Sequence, residues 1–183
     1  MLSDVEIEQY IARSELSWTG RTRGDSLLVT LGPDLQELKS AAHPIDPYQA
    51  TQIQSLYHPV QTDWDRHILE PGKLVLCSTA EEISLPPHLS GILGALSHVA
   101  RIGLMTHLDS PFIDSGTFGR LTLELYNCGP SPIIIKEHMP VAKMLITQVG
   151  VPGERKIQRH RLYERQETLG SRFPDEFGNA RAT

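Results

Sequence analysis

Residues 97–127 read SHVARIGLMTHLDSPFIDSGTFGRLTLELYN, and the second half of this stretch decides the fold. A turn signal, Asp114-Ser115-Gly116, is followed by Gly119 and then by Leu121, Leu123 and Leu125 alternating with Thr122, Glu124 and Tyr126. Successive side chains of a strand leave opposite faces. The alternation therefore predicts a half-buried β-strand with the leucines on the core face and Glu124 on the other, beside Thr122 and Tyr126. A carboxyl next to a packed strand, partly shielded from water, has its pKa pushed upward, which suits it to move protons near neutral pH. Most glutamates on a sheet have no such task. The ionisable, small and turn-forming residues gathered around Glu124 set it apart.

Working outward, Ser3 and Glu6 form a capping-box pattern ahead of Ile7, Tyr10 and Ile11 at helical spacing, which predicts one short N-terminal helix. Residues 26–31 read as a strand ended by Gly32-Pro33. The polar segment that follows carries His43-Pro44, Asp46-Pro47 and His58-Pro59 and predicts a long loop excursion. Short strand candidates recur at residues 73–79, 88–96, 121–126, 133–136 and 142–148, each bounded by Gly, Pro or Asn. Recurrent short strands predict a mainly β sandwich or barrel rather than alternating parallel units. With 183 residues, one domain spanning 1–183 is expected. Its charged tail, about residues 150–183, reads as a solvated end or a mobile C-terminal lid.

Composition excludes several classes of function. A net charge of -5 with no Lys/Arg block offers no phosphate-neutralising stripe for nucleic acid. No apolar run reaches the ~18 residues of a membrane span, and the first residues lack the basic-then-apolar character of a signal segment. Cys77 and Cys128 have neither metal spacing nor disulfide density, which suits a reducing cytoplasm. The eight histidines include no i, i+4 pair to set two ligands on a helix face. Zinc-dependent deaminases carry His-x-Glu followed by Pro-Cys-x-x-Cys, and neither half occurs in this sequence.

The ordered run Ser97, Arg101, Ile102-Gly103-Leu104, His107, Ile113-Asp114, Gly116, Gly119, Leu123-Glu124 and Asn127 resembles the central motif of the dCTP deaminase family, the zinc-independent branch of the dUTPase superfamily. Residues 26–32, residues 68–72 and the tail segments Tyr163-Glu164-Arg165-Gln166 and Ser171-Arg172-Phe173 are similar to other parts of the family pattern. Residues 33–65 show only weak similarity. The resemblance implies a mainly β, dUTPase-like distorted barrel or β-clip, assembled as a homotrimer with shared active sites. It further implies hydrolytic deamination of a pyrimidine nucleotide, dCTP to dUTP plus ammonia, without zinc. Magnesium would arrive only with the nucleotide phosphates, since it prefers substrate oxygens and water.

The site residues implied by the resemblance follow one by one. Glu124 is the proton shuttle, Ser97 and a backbone carbonyl at Ser110 hold the attacking water, and Arg101 supports the acid. His107 is a conformational neighbour. Asp114, Tyr163 and Gln166 contact the substrate. An aspartate in such a turn activates water against an α-phosphate in bifunctional members that also release pyrophosphate, although Asp also caps turns in proteins of every kind.

Departures from the pattern fall on phosphate recognition. Leu96 stands where the family carries an arginine that grips phosphate oxygens, and Leu28 stands where it carries an aspartate. Either His98 or a tail arginine takes over that grip, or the substrate has fewer phosphates. The alternatives are therefore a deaminase of a monophosphate or a modified cytosine nucleotide, a bifunctional deaminase and pyrophosphatase, and a noncatalytic nucleotide-binding regulator. The intact Ser97 and Glu124 weigh against the last.

Overall fold

The structure, a computed structural model, describes residues 1–150 and 169–174. It opens on helix α1 (Asp4–Ala12), capped by Ser3. The Glu6 amide donates to Ser3 Oγ at 3.3 Å and the Ser3 amide donates to Glu6 Oε2 at 2.8 Å, closing the reciprocal box read from the sequence. Ile7 is fully buried and plugs this helix into the core.

The remaining elements in chain order are β1 (Ser17–Trp18), β2 (Leu27–Glu37), α2 (Ala50–Ser55), β3 (Arg66–Leu69), β4 (Leu74–Thr79), β5 (Ile83–Ser84), β6 (Leu89–Ala95), α3 (Ser97–Ala100), β7 (Leu104–Met105), β8 (Phe112–Ile113), β9 (Phe118–Gly119), β10 (Thr122–Asn127), β11 (Ile133–Lys136) and β12 (Pro140–Gln148). Seven strands form one sheet in the order β7-β10-β4-β2-β12-β6-β8, every neighbouring pair antiparallel. A three-stranded sheet β1-β5-β9 and a ribbon β11-β3 accompany it. The core is the period-two face of these strands: Leu27, Val29, Leu123, Leu125, Met144 and Ile146 are all fully buried.

The structure departs from the sequence reading in three places. Strand β2 does not end at Gly32-Pro33 but runs through it to Glu37. The register against β4 shifts between Leu31 and Leu35, so β2 bulges where Pro33 has no N–H to give. Gly32 is needed there because a side chain would run into the Thr79 carbonyl, and its own carbonyl accepts Trp64 Nε1 at 3.1 Å. The expected loop excursion is likewise structured in part, holding α2 and bridges that join Leu35 to Gln61 and Leu38 to Tyr57. Finally, Leu123 and Leu125 take the core face but Leu121 is only partly buried, because β10 begins one residue later.

Asn127, at the far end of β10, falls on the same face as the buried leucines and is fully buried. Its Nδ2 donates to the carbonyls of Leu69 and Ser131, both at 2.8 Å, and its Oδ1 accepts the Gly129 amide at 2.9 Å. Three backbone groups, one at the end of β3 and two in the β10–β11 connection, thus depend on one side chain. Asn127→Ala should lower the unfolding free energy by roughly 2 to 4 kcal/mol, the sum of three lost bonds with buried groups left unpaired. Denaturant melts of the two proteins measure this directly, and a loss under about 0.5 kcal/mol would mean that water replaces the amide.

Candidate active site

Glu124 stands in the middle of β10, opposite Leu76 of β4. On its other side β7 pairs with β10 through Tyr126↔Met105 and Asn127↔Leu104, and continuing that register brings His107 opposite Glu124. The Leu108 backbone amide lies close enough to the Glu124 carboxylate to favour its charged form. Burial raises the Glu124 pKa above its ordinary value, and it outweighs the Leu108 amide, the residue's own amide and the nearby His107, which all pull the other way. His107 is half-buried, and its Nδ1 lies out of reach of water without a hydrogen-bond partner, as does Oγ1 of the adjacent Thr106.

Glu124 lines a cavity of about 570 Å³ together with Ser110, Asp114, Thr117, Arg120 and Thr122 on one side and Leu38, Tyr57, Leu74, Leu76 and Leu169 on the other. The volume lies within the range of small-molecule sites. Asp114 belongs to the turn that forms the rim: its carbonyl accepts the Thr117 amide at 3.2 Å and the Thr117 hydroxyl at 2.7 Å. Arg120 reaches Asp34 at 3.9 Å and Glu82 at 3.8 Å, two loose ion pairs at the edge of the cavity.

Of the residues predicted from sequence, Glu124, Ser110 and Asp114 are therefore brought to one cavity, and His107 lies near Glu124 without being among the residues that line it. Ser97, His98 and Arg101 sit elsewhere. They are exposed on α3 and at its C-terminal cap, and they are not among the described residues lining the cavity. Leu96, at the head of α3, is partly buried against the core, so packing occupies the position where the family pattern has a phosphate-gripping arginine. Tyr163 and Gln166 lie outside the described residues. Among the described residues no group of three or more His, Cys, Asp or Glu side chains is gathered as a metal site would require. No helix among them is long and apolar enough to cross a membrane.

Sequence reasoning missed the apolar side of the cavity. Leu74 and Leu76 alternate along β4 and carried a usable signal. Tyr57 and Leu169 carried none, because only the tertiary fold brings residues so far apart in the chain to Glu124.

The fold and site define a mostly antiparallel β protein with a small-molecule-sized cavity lined by a half-buried carboxyl. The profile of the dCTP deaminase-like family matches residues 1–149, and the chain belongs to that family. The dCTP deaminase of Shewanella sp. (strain ANA-3) is 28% identical over 188 residues, covering 94% of this chain and 97% of that protein. The dUMP-forming dCTP deaminase of Corynebacterium glutamicum (strain R) is 41% identical over 92 residues, 50% of this chain and 49% of that protein, so the chain spans about half the length of this relative. Among solved structures, the 2'-deoxycytidine 5'-triphosphate deaminase from Agrobacterium tumefaciens superposes with a TM-score of 0.62 at 19% identity, over 81% of this chain and 46% of that one. That superposition shows that the two proteins share this mostly β fold.

The raised Glu124 pKa has a consequence for stability. The folded state holds this proton more firmly than the unfolded chain does, so folding stability falls as pH rises from about 4.5 through the folded-state value. Glu124→Gln removes that dependence and should melt higher than the wild type at pH 7, with the gap closing as the pH falls toward 4.5. Thermal melts across this window test the idea. A Glu124→Gln variant no more stable than the wild type at pH 7 would show that burial does not disfavour the carboxylate.

Proposed function

We propose that the chain catalyses hydrolytic deamination of a cytosine nucleotide, with dCTP as the first substrate to test. The observation that carries this reading is the half-buried carboxyl of Glu124, its charged form disfavoured by burial, lining a nucleotide-sized cavity. Deamination needs water to add at C4, a base to take its proton, and an acid to protonate the ring nitrogen and then the departing amine. One carboxyl can serve all three in turn, taking the proton as a base and returning it as an acid, and the burial that disfavours its charge helps it hold the proton between the two steps. The balance is dCTP plus water giving dUTP plus ammonia. The nearby Leu108 amide favours the charged form of Glu124 and so partly offsets its burial.

No step requires zinc, and magnesium has a place only on the phosphates of the substrate. Ser97 and Arg101 enter this reading from a second copy of the chain. Both are exposed on or beside α3 and away from the cavity of their own chain, as expected of residues that complete a neighbour's site in a homotrimer. A small-molecule nucleotide, a shared site and a cytoplasmic setting form one consistent assignment.

A second reading concerns the product. Asp114 lines the same cavity as Glu124, and the Corynebacterium glutamicum relative is a dUMP-forming dCTP deaminase. If Asp114 activates water against the α-phosphate, pyrophosphate leaves and dUMP is the product. Ammonia, pyrophosphate, dUTP and dUMP are to be followed together with dCTP, and ammonia with dCMP. Ammonia and dUTP without pyrophosphate support deamination alone, and dUMP with pyrophosphate supports the coupled reaction. Ammonia from neither substrate sinks the assignment.

Glu124→Gln should cut turnover by at least about 100-fold, the scale of a lost general acid and base, while nucleotide binding persists. Near-normal turnover in that variant would remove Glu124 from the chemistry. Metal analysis of the active protein should find no stoichiometric zinc, and zinc chelation should leave the rate unchanged. One zinc per chain that is needed for activity would overturn the zinc-free mechanism.

A further inference from the structure

Leu169, Gly170 and Ser171 line the cavity, although they lie beyond residues 1–149 that match the family profile. Their attachment can be traced through the central sheet. Directly paired residues of neighbouring strands share a face, so the pairs Glu124↔Leu76 and Leu76↔Gln36 lay one row of side chains across β10, β4 and β2. Two strand spacings, about 10 Å, separate Glu124 from Gln36 along that row.

Gln36 is 3% exposed, and its amide is used at both ends. Its Nε2 donates to the His58 carbonyl at 2.8 Å, and its Oε1 accepts the Leu169 amide at 2.8 Å. Two residues on, the Ser171 amide donates to the Tyr57 hydroxyl at 3.0 Å. Between them Gly170 lies so close to the Tyr57 ring that a Cβ would stand 2.5 Å from Cε2. Phe173 then meets Tyr48 edge to face, with centroids 5.0 Å apart. Both anchors come from residues 33–65, the part of the chain with the weakest family resemblance, and the Leu38–Tyr57 bridge ties this part to the cavity rim.

We propose that Gln36 and Tyr57 are positioning residues that seat residues 169–171 as a fixed wall of the cavity on the Glu124 face, so that the nucleotide meets a pocket already closed on that side. A wall set in advance spares the nucleotide the cost of ordering it, which strengthens binding without touching the proton chemistry. The inference rests on the deaminase reading for its substrate. It does not rest on it for the seating.

Gly170→Ala in the full chain tests the wall, because the added methyl is driven into the Tyr57 ring. The KM for dCTP should rise about three- to tenfold, the scale of one lost hydrogen bond, while the pH midpoint of kcat stays where Glu124 sets it. Tyr57→Ala makes room for the methyl, so Tyr57→Ala/Gly170→Ala should have a KM no worse than Tyr57→Ala alone. Tyr57→Phe, which removes only the hydroxyl, provides a variant with little risk to folding. It should raise KM in the same direction and speed amide hydrogen exchange at Ser171. An unchanged KM in both Gly170→Ala and Tyr57→Phe, additive effects in the double variant, or a shifted kcat midpoint would each overturn the proposal while leaving the deaminase reading in place. A wild type that releases ammonia from neither dCTP nor dCMP would sink the deaminase reading instead. Exchange at Leu169 and Ser171 then decides the seating, with fast exchange in the wild type overturning it.

Discussion

The parity of β10 against its neighbours is the constraint on which the rest of the structure depends. Leu123 and Leu125 are fully buried, and their burial forces Glu124, one residue away from each, onto the opposite face, where the cavity lies. A slip of one residue in this strand would turn the carboxyl into the core and the leucines out. Two neighbouring strands hold the register, five paired positions with β4 and two with β7. Asn127 then closes the strand by tying three backbone groups to its end. The position of the Glu124 carboxyl is thus a by-product of core packing, and it is as rigid as that packing.

The same parity explains what the sequence made legible. The alternation from Leu121 to Tyr126, the Ser3–Glu6 box and the strands flanked by Gly, Pro and Asn could all be read locally, because each is decided by neighbours a few residues away. The passage of β2 through Gly32-Pro33 could not. A Gly-Pro pair usually ends a strand, and only the bulge against β4 and the close approach to Thr79 make it tolerable here. The hydrogen bond between Leu169 and Gln36 was equally hidden, since those residues are separated by 133 positions in the chain. At the site, Glu124, Ser110 and Asp114 could be placed together because one motif carries them. That Ser97 and Arg101 would be exposed and apart from the cavity depends on how α3 projects from the sheet, which the motif does not encode.

Leu96 illustrates the limit of reading a substitution as a loss. From sequence it is an absent arginine, hence an absent grip on phosphate. In the fold it heads α3, its amide donates to the Val141 carbonyl at 2.8 Å, and its side chain packs on the core. A leucine there contributes apolar burial, worth up to about 1.5 to 3 kcal/mol when complete, and a guanidinium would have to leave that contact to reach solvent. The leucine thus serves the attachment of the helix that carries Ser97 and Arg101.

Where the molecule tolerates unfavourable groups is as informative as where it packs well. Buried polar side chains away from Glu124 have partners: Glu81 receives both the amide and the hydroxyl of Thr30, at 3.0 and 2.6 Å, and Gln36 and Asn127 use both ends of their amides. Around Glu124 the pattern reverses. Its charge is disfavoured by burial, His107 Nδ1 across the strand pairing is buried without a partner, and so is Thr106 Oγ1 next to it. Each such group costs on the order of 1 kcal/mol or more, and selection for stability alone would remove them. Their concentration on β10 and the short segment after β7, in a chain whose described residues satisfy their buried polar groups elsewhere, marks this part of the sheet as the place where stability is given up, which is common where a fold carries a ligand site.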